Sequence, residues 1–275
     1  MKNLISVVIP CFNDGHFIAQ AVDSVLNQTY EEIEIIVVDD GSDEATKSVL
    51  KRLESKITKL ITQDNQGQSA ARNRGIESAK GEFIFVLDSD DYLEPTYCER
   101  AIIEFKDQSV KIVTCQANII IDEKITSIFT PAGGEIEDFL FSNASLGTAM
   151  FRKSDWKDCG RYDEKMRKGF EDWEFFIRVL TEGGKAKVLQ SPLYNYRKSN
   201  NSTTSKANLV KYELLEYIYL KHKDIYFRNY EKLTRHLLEV AKREQFEKEK
   251  KVKSLEYVIG FSILKPIRFI KSLFS

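Results

Sequence analysis

Three carboxylates fall within four residues at Asp88-Ser89-Asp90-Asp91, directly after the apolar run 83–87. Acids so crowded repel one another unless a cation or hydrogen-bond donors sit among them, and the i, i+2 spacing of Asp88 and Asp90 lets both address one ion. Hard oxygen ligands select Mg²⁺ or Mn²⁺ over zinc or copper. An ion held by one or two protein carboxylates keeps room for phosphate oxygens, so a nucleoside diphosphate is its natural companion. A second acidic group, Asp39-Asp40-Gly41-Ser42, follows the apolar run 33–38, and the same residue types also suit a turn that caps the next helix. A third, Gly169-Phe170-Glu171-Asp172-Trp173-Glu174, opens a helical pattern, where acids complement the macrodipole. Asp172 lies at the edge of the apolar stripe that contains Trp173, where limited solvation raises its basicity and suits it to take a proton.

These acids act together only if the chain carries them to one rim. Short apolar runs at 4–10, 33–38, 59–62 and 83–87 alternate with helix-period segments at 17–26, 44–53 and 69–79, the pattern of βαβ units on a mostly parallel sheet with helices on both faces. In such sheets ligands lie beyond the carboxyl ends of the strands, which is where Pro10-Cys11-Phe12-Asn13, Asp39-Asp40 and Asp88-Ser89-Asp90 fall. Past residue 110 the rhythm changes to a mixed second half. Runs 111–121 and 125–130 flank Asp122-Glu123-Lys124 as a hairpin, 148–152 reads as a strand, and Phe170, Trp173, Phe176, Ile177 and Leu180 mark a helix closed by Gly183-Gly184. Only helices are expected beyond 207. The domains predicted are a catalytic one, 1–205, split into a nucleotide-binding half 1–110 and an acceptor half 111–205, and a basic helical extension, 206–275.

Composition narrows the chemistry. The 275 residues are 42% hydrophobic and 30% charged with 5 Pro, which is globular rather than disordered. Lys and Arg number 41 against 42 Asp and Glu, which argues against a nucleic-acid partner. The charge is uneven: residues 206–275 hold 16 basic and 9 acidic side chains, leaving 25 and 33 before them. No GxGxxG follows the first strand and no GxxxxGK[ST] occurs, so dinucleotide redox and P-loop phosphoryl transfer lose their signatures. Three histidines without HxxxH spacing give a zinc site no support, and four cysteines without CxxC, behind an N-terminus with no signal-like apolar region, favour a reducing cytoplasm.

Val7-Val8-Ile9-Pro10-Cys11-Phe12-Asn13, Val38-Asp39-Asp40-Gly41-Ser42, Asn65-Gln66-Gly67 with Ala71-Arg72-Asn73, Leu87-Asp88-Ser89-Asp90-Asp91 and Gly169-Phe170-Glu171-Asp172-Trp173 occur in that order over residues 4–205. Together they resemble the motifs of glycosyltransferase family 2. The resemblance implies a GT-A type fold and a metal-dependent, inverting transferase that moves a sugar from a nucleotide-diphospho-sugar, in the first instance a UDP-sugar, to a hydroxyl of a glycan or lipid-linked glycan in polysaccharide assembly. It also implies site roles. Asp39 and Asp40 would meet the nucleotide, with Pro10, Phe12 and Asn13 lining its pocket and Arg72 nearby. Asp88-Ser89-Asp90 would be the DXD motif, Asp88 and Asp90 holding Mn²⁺ or Mg²⁺, and Asp172 the base. Glu171 and Trp173 would border the acceptor or sugar, although Trp173, like Trp156 and Tyr162, also suits core packing. One departure is visible: Tyr196-Arg197 is followed by Lys198-Ser199-Asn200-Asn201, where many relatives carry a histidine that would supply a third metal contact.

Two rivals share parts of this pattern. A sugar-nucleotide pyrophosphorylase would show a glycine-rich, Arg-containing loop after the first strand, which Pro10-Cys11-Phe12-Asn13-Asp14-Gly15 is not; a non-catalytic carbohydrate-binding module would not need Asp88, Asp90 and Asp172 together. At the other end, Ile263, Ile267, Ile270 and Phe274 with Lys265, Arg268 and Lys271 form a basic apolar pattern. Residues 254–275 thus suit either the inner face of the cell membrane or packing back on the catalytic domain.

Overall fold

The computed structural model describes residues 3–199 and 202–254 and, beyond these, 257, 259, 261, 263 and 264. It is the expected α/β protein. β1 (Ile5–Cys11) is buried along its length, and α1 (Ile18–Leu26) turns Ile18, Ala21, Val22 and Val25 to the core at helical spacing. β2 (Ile33–Asp39), α2 (Glu44–Leu53), β3 (Lys59–Thr62), α3 (Gln68–Ser78) and β4 (Phe83–Val86) continue the alternation. The four strands are parallel, in the order β3-β2-β1-β4. Strand order therefore reverses beside β1, which puts a crevice at the carboxyl ends of β1 and β4.

α3 lies close against this sheet because of Gly75, where a Cβ would collide with Val8 Cγ1 and stand 3.1 Å from Val38 Cγ2. Small Ser69, Ala70 and Ala71 extend the close approach, and it buries Arg72 and Asn73 as well. Side chains that would ordinarily face solvent are thereby brought under the carboxylate rim.

The second half is mixed. β5 (Tyr92–Leu93) and α4 (Tyr97–Glu104) precede β6 (Val110–Ile121) and β7 (Lys124–Phe129), the expected hairpin, whose Asp122 and Glu123 turn through left-handed φ of 49° and 59°. Then come α5 (Ile136–Phe139), β8 (Met150–Arg152), α6 (Lys153–Asp158), α7 (Glu171–Leu180) and β9 (Lys185–Arg197). β8 pairs antiparallel with both β4 and β6, joining the halves into one nine-stranded sheet. β9 runs parallel to β6 and antiparallel to β5. No sequence pattern announced β9: Lys185, Lys187 and Gln190 interrupt it, and Pro192 cannot donate to a ladder. Pro192 is accommodated opposite Gln116, where the register shifts.

Among the described residues that follow, the elements are all helices: α8 (Thr203–Leu209), α9 (Lys211–Lys221), α10 (Lys223–Arg228) and α11 (Tyr230–Val252). The chain divides into two compact units, residues 1–221 and 222–275. Of the basic apolar pattern near the end, Lys265, Ile267, Arg268, Ile270, Lys271 and Phe274 lie outside the described residues. Among the described residues no helix is long and apolar enough to cross a membrane.

Candidate active site

The loops after β1 and β2 are stitched together by short polar side chains. Pro10 is buried in β1, and Asn13, in the left-handed region at φ 61°, donates its N–H to Ser42 Oγ (3.1 Å) and accepts from Asp43 N through Oδ1 (2.8 Å). Ser42 N in turn donates to Asp39 Oδ1 (2.9 Å). Asp39 is buried, and its Oδ2 accepts no hydrogen bond among the described residues, while Phe12 stands 48% exposed at the mouth. A depression of about 260 Å³ beside Asp39 is lined by Lys47, Leu50, Lys51 and Thr62. Asp40 does something else. Its Oδ1 accepts from Gln63 Nε2 and Gln66 N (both 2.8 Å) and its Oδ2 from Gly67 N (2.8 Å), so it shapes the loop before α3 instead of facing the mouth with an open oxygen.

The acidic run after β4 splits by role. Asp88 Oδ1 accepts from Arg72 Nη2 (3.0 Å) and Gln68 Nε2 (3.2 Å). Ser89 Oγ donates to Asp14 Oδ2 (2.5 Å), which brings a further acid to the rim that its Asn-Asp-Gly turn context had concealed. Asp91 is buried and ties down the end of β9, accepting from Tyr194 OH (2.5 Å) and Arg197 N (2.7 Å). Among the described residues no side chain donates to the Asp90 carboxylate, although Arg197 Nη1 donates to the Asp90 backbone O (2.6 Å). Burial, then the negative charges of Asp88 and Asp14, push it up to about 7 against the weaker pull of Arg197.

No group of three or more His, Cys, Asp or Glu side chains converges on one point among the described residues. Asp88 and Asp90 nonetheless offer open, hard oxygens of the kind Mg²⁺ or Mn²⁺ shares with phosphate, and a cation there would relieve the charge crowding at Asp90. The arrangement fits such an ion. Cys11, the thiol nearest the rim, is not a nucleophile, because burial raises it to about 12.

Arg72 joins the two acidic regions. Its side chain is 2% exposed, with Nη2 on Asp88 and Nη1 on Glu171 Oε1 (2.6 Å), and its guanidinium lies 5.4 Å from the Tyr162 ring centroid. It is therefore an internal bridge, not a group exposed beside a nucleotide. Glu171 faces this bridge and is 5% exposed. Trp173 is packed, its indole N–H donating to Phe139 O (2.5 Å) and its ring edge-on to Phe170. Between them Asp172 turns the other way: its Oδ2 accepts from Asn143 Nδ2 (2.9 Å), and a Cβ at Gly147 would stand 2.7 Å from that oxygen. Burial, with Glu171 alongside and Arg72 opposing, raises Asp172 to about 6. Sequence reasoning missed Asn143 and Gly147, since an Asn and a Gly in a loop carry no signal of what they approach.

The family model for glycosyl transferase family 2 matches residues 6–154. A putative glycosyltransferase of Bacillus subtilis (strain 168), EpsH, is 38% identical over 210 residues, 70% of this chain and 60% of that protein. Chondroitin synthase of Pasteurella multocida (strain Pm70) is 33% identical over 221 residues, 75% of this chain but 22% of that protein. The chain thus spans less than two thirds of either relative. Among solved structures, S. aureus TarS 1–349 in complex with UDP-GlcNAc superposes with a TM-score of 0.64 at 21% identity, over 74% of this chain and 61% of that one. That likeness shows the GT-A fold.

Proposed function

Because the chain belongs to glycosyl transferase family 2, we propose that it is a metal-dependent, inverting glycosyltransferase that carries a sugar from a nucleotide-diphospho-sugar to the hydroxyl of a glycan or lipid-linked glycan. The observation that supports this reading is the buried guanidinium of Arg72 shared by Asp88 and Glu171, which ties the donor-side acids to the residue next to Asp172. A UDP-sugar is the favoured donor, in keeping with the ligand of the TarS complex. Polysaccharide assembly is the favoured setting, in keeping with the chondroitin synthase relative.

In this reading Asp39 accepts from the nucleotide base and Phe12 covers it. Asp88 and Asp90 hold Mn²⁺ or Mg²⁺, which when bound supplies Lewis-acid stabilisation of the leaving diphosphate. Asp172 takes the proton of the acceptor hydroxyl as its oxygen bonds to the anomeric carbon. The carbon–oxygen bond to the diphosphate breaks, and the electron pair leaves with the nucleoside diphosphate. Attack opposite the leaving group inverts the anomeric centre. Asn143 orients Asp172 through Oδ2, leaving Oδ1 to meet the hydroxyl.

A panel of UDP- and GDP-sugars with Mn²⁺ or Mg²⁺, read as thermal stabilisation and as slow release of nucleoside diphosphate, tests the assignment. At least one donor is expected to stabilise the fold only with metal and to be turned over. A panel with neither effect would refute it. Residues 254–275 are proposed to rest on the anionic inner membrane surface, close to a lipid-linked acceptor.

A further inference from the structure

α7, which carries Asp172, is gripped from two sides. On the donor side Asn73 of α3 donates to Tyr162 O and Glu164 Oε1 (both 2.9 Å) and accepts from Tyr162 N (2.9 Å) and Trp156 Nε1 (3.1 Å), pinning the loop that leads into α7. On the far side the grip comes from residues that composition alone assigned to the basic extension. Gly169, at φ 116°, lies so close to α8 that a Cβ on it would stand 2.6 Å from Ala207 Cβ. At the end of α9, Lys221 Nζ reaches Glu174 Oε1 (2.8 Å) and Asp163 Oδ2 (2.5 Å), and Tyr217 OH donates to the same Asp163 oxygen (2.7 Å). Glu174 is fully buried and also holds Arg178 through both oxygens (2.8 and 2.7 Å). A carboxylate so deeply placed must be neutralised by cations, which makes the Lys221 contact specific in geometry, unlike an exposed pair such as Lys168–Glu213.

We propose that α8 and α9 brace the catalytic base: Lys221, acting through Glu174 and Asp163, and the Gly169–Ala207 contact set where the first turn of α7 presents Asp172. The inference rests on the reading of Asp172 as base. Lys221 is a positioning residue that touches no reacting atom. Glu174 lies two residues along α7 from Asp172, about half a helical turn, so a shift of its anchor is passed to the base within one rigid element. Misplacing a reacting group by about 1 Å costs up to about 100-fold in rate.

The test uses the full chain with the best donor from the panel above. Lys221→Met is expected to lower kcat about 10-fold while UDP affinity in Mn²⁺ stays within about twofold, because contacts that do not reach α7 also hold the donor rim: Gln68 to Asp88, Ser89 to Asp14 and Arg197 to Asp91. Lys221→Arg, which keeps the cation, is expected to recover most of the rate. Should Lys221→Met unfold, Tyr217→Phe removes one donor to Asp163 and is expected to lower kcat about 3-fold. Unchanged kcat in the folded Lys221 or Tyr217 variant overturns the brace, as does a loss of UDP affinity equal to the loss of rate, or no recovery in Lys221→Arg. Asp172→Asn is measured in the same series: full transfer there sinks the base assignment itself, whereas full transfer confined to the Lys221 variants sinks only the brace.

Discussion

At the level of single residues, the site is a set of carboxylates given different jobs by what surrounds them. Asp172 is raised to about 6, and the proposed base works only when ionised, so transfer at saturating donor and Mn²⁺ is expected to fall as pH drops through about 6. The stability effect has the opposite sense. A folded-state value above that of the unfolded chain means that the protein loses stability as pH rises from about 4 to about 6. Asp172→Asn should therefore be no less stable than the parent at pH 7.5 in urea melts, while transfer falls by about 10²–10⁴; a destabilised but active variant would contradict both roles. Asp90, pushed to about 7 by burial, Asp88 and Asp14, has to shed a proton to receive a cation. Mn²⁺-dependent UDP affinity is accordingly expected to weaken as pH falls below about 7, and Asp90→Ala to abolish the metal dependence, both readable by titration calorimetry. Asp39, Asp88, Asp90 and Asp172 could be singled out as candidates because acids after strands and at helix starts are conspicuous. Asp14, Asn73 and Asn143 were not, since their importance lies in partners that only tertiary structure supplies.

At the level of elements, close approach matters more than amphipathic pattern. α3 has almost no apolar stripe, yet Gly75 and its small neighbours let it bury Arg72 and Asn73 against β1 and β2. Gly75→Ala, whose new methyl would overlap Val8 Cγ1, is expected to cost about 1–3 kcal/mol and to lower donor affinity by shifting Arg72. A urea midpoint equal to that of the parent would show that the helix has slack. The first four strands and the β6–β7 hairpin were readable because their apolar runs end at Asp, Gly and turn residues. β9 was hidden because a proline and three polar residues break its pattern, and its length comes from pairing with β6 and β5. Asp91, which looked like one more acid in a metal cluster, serves that strand by accepting from Tyr194 and Arg197.

At the level of the molecule, charge is uneven, 25 basic against 33 acidic side chains in residues 1–205 and 16 against 9 in residues 206–275, and the proposed contact of residues 254–275 with anionic lipid is testable. Full-length protein is expected to sediment with vesicles containing phosphatidylserine or phosphatidylglycerol at low salt and to be released as salt rises, since each lysine near the surface contributes about 1 kcal/mol. Equal partitioning onto neutral phosphatidylcholine would remove the electrostatic basis. The Arg72 bridge has a consequence for lineage and engineering. Its cation comes from α3 and one of its two anions, Glu171, from α7, nearly a hundred residues further along the chain. Grafting residues 1–110 of a homologue onto this chain's remainder would marry a guanidinium to a stranger unless position 171 travelled with it. Chimaeras cut at that seam should fail far more often than swaps of exposed loops, and positions 72, 88 and 171 should drift through evolution as a trio.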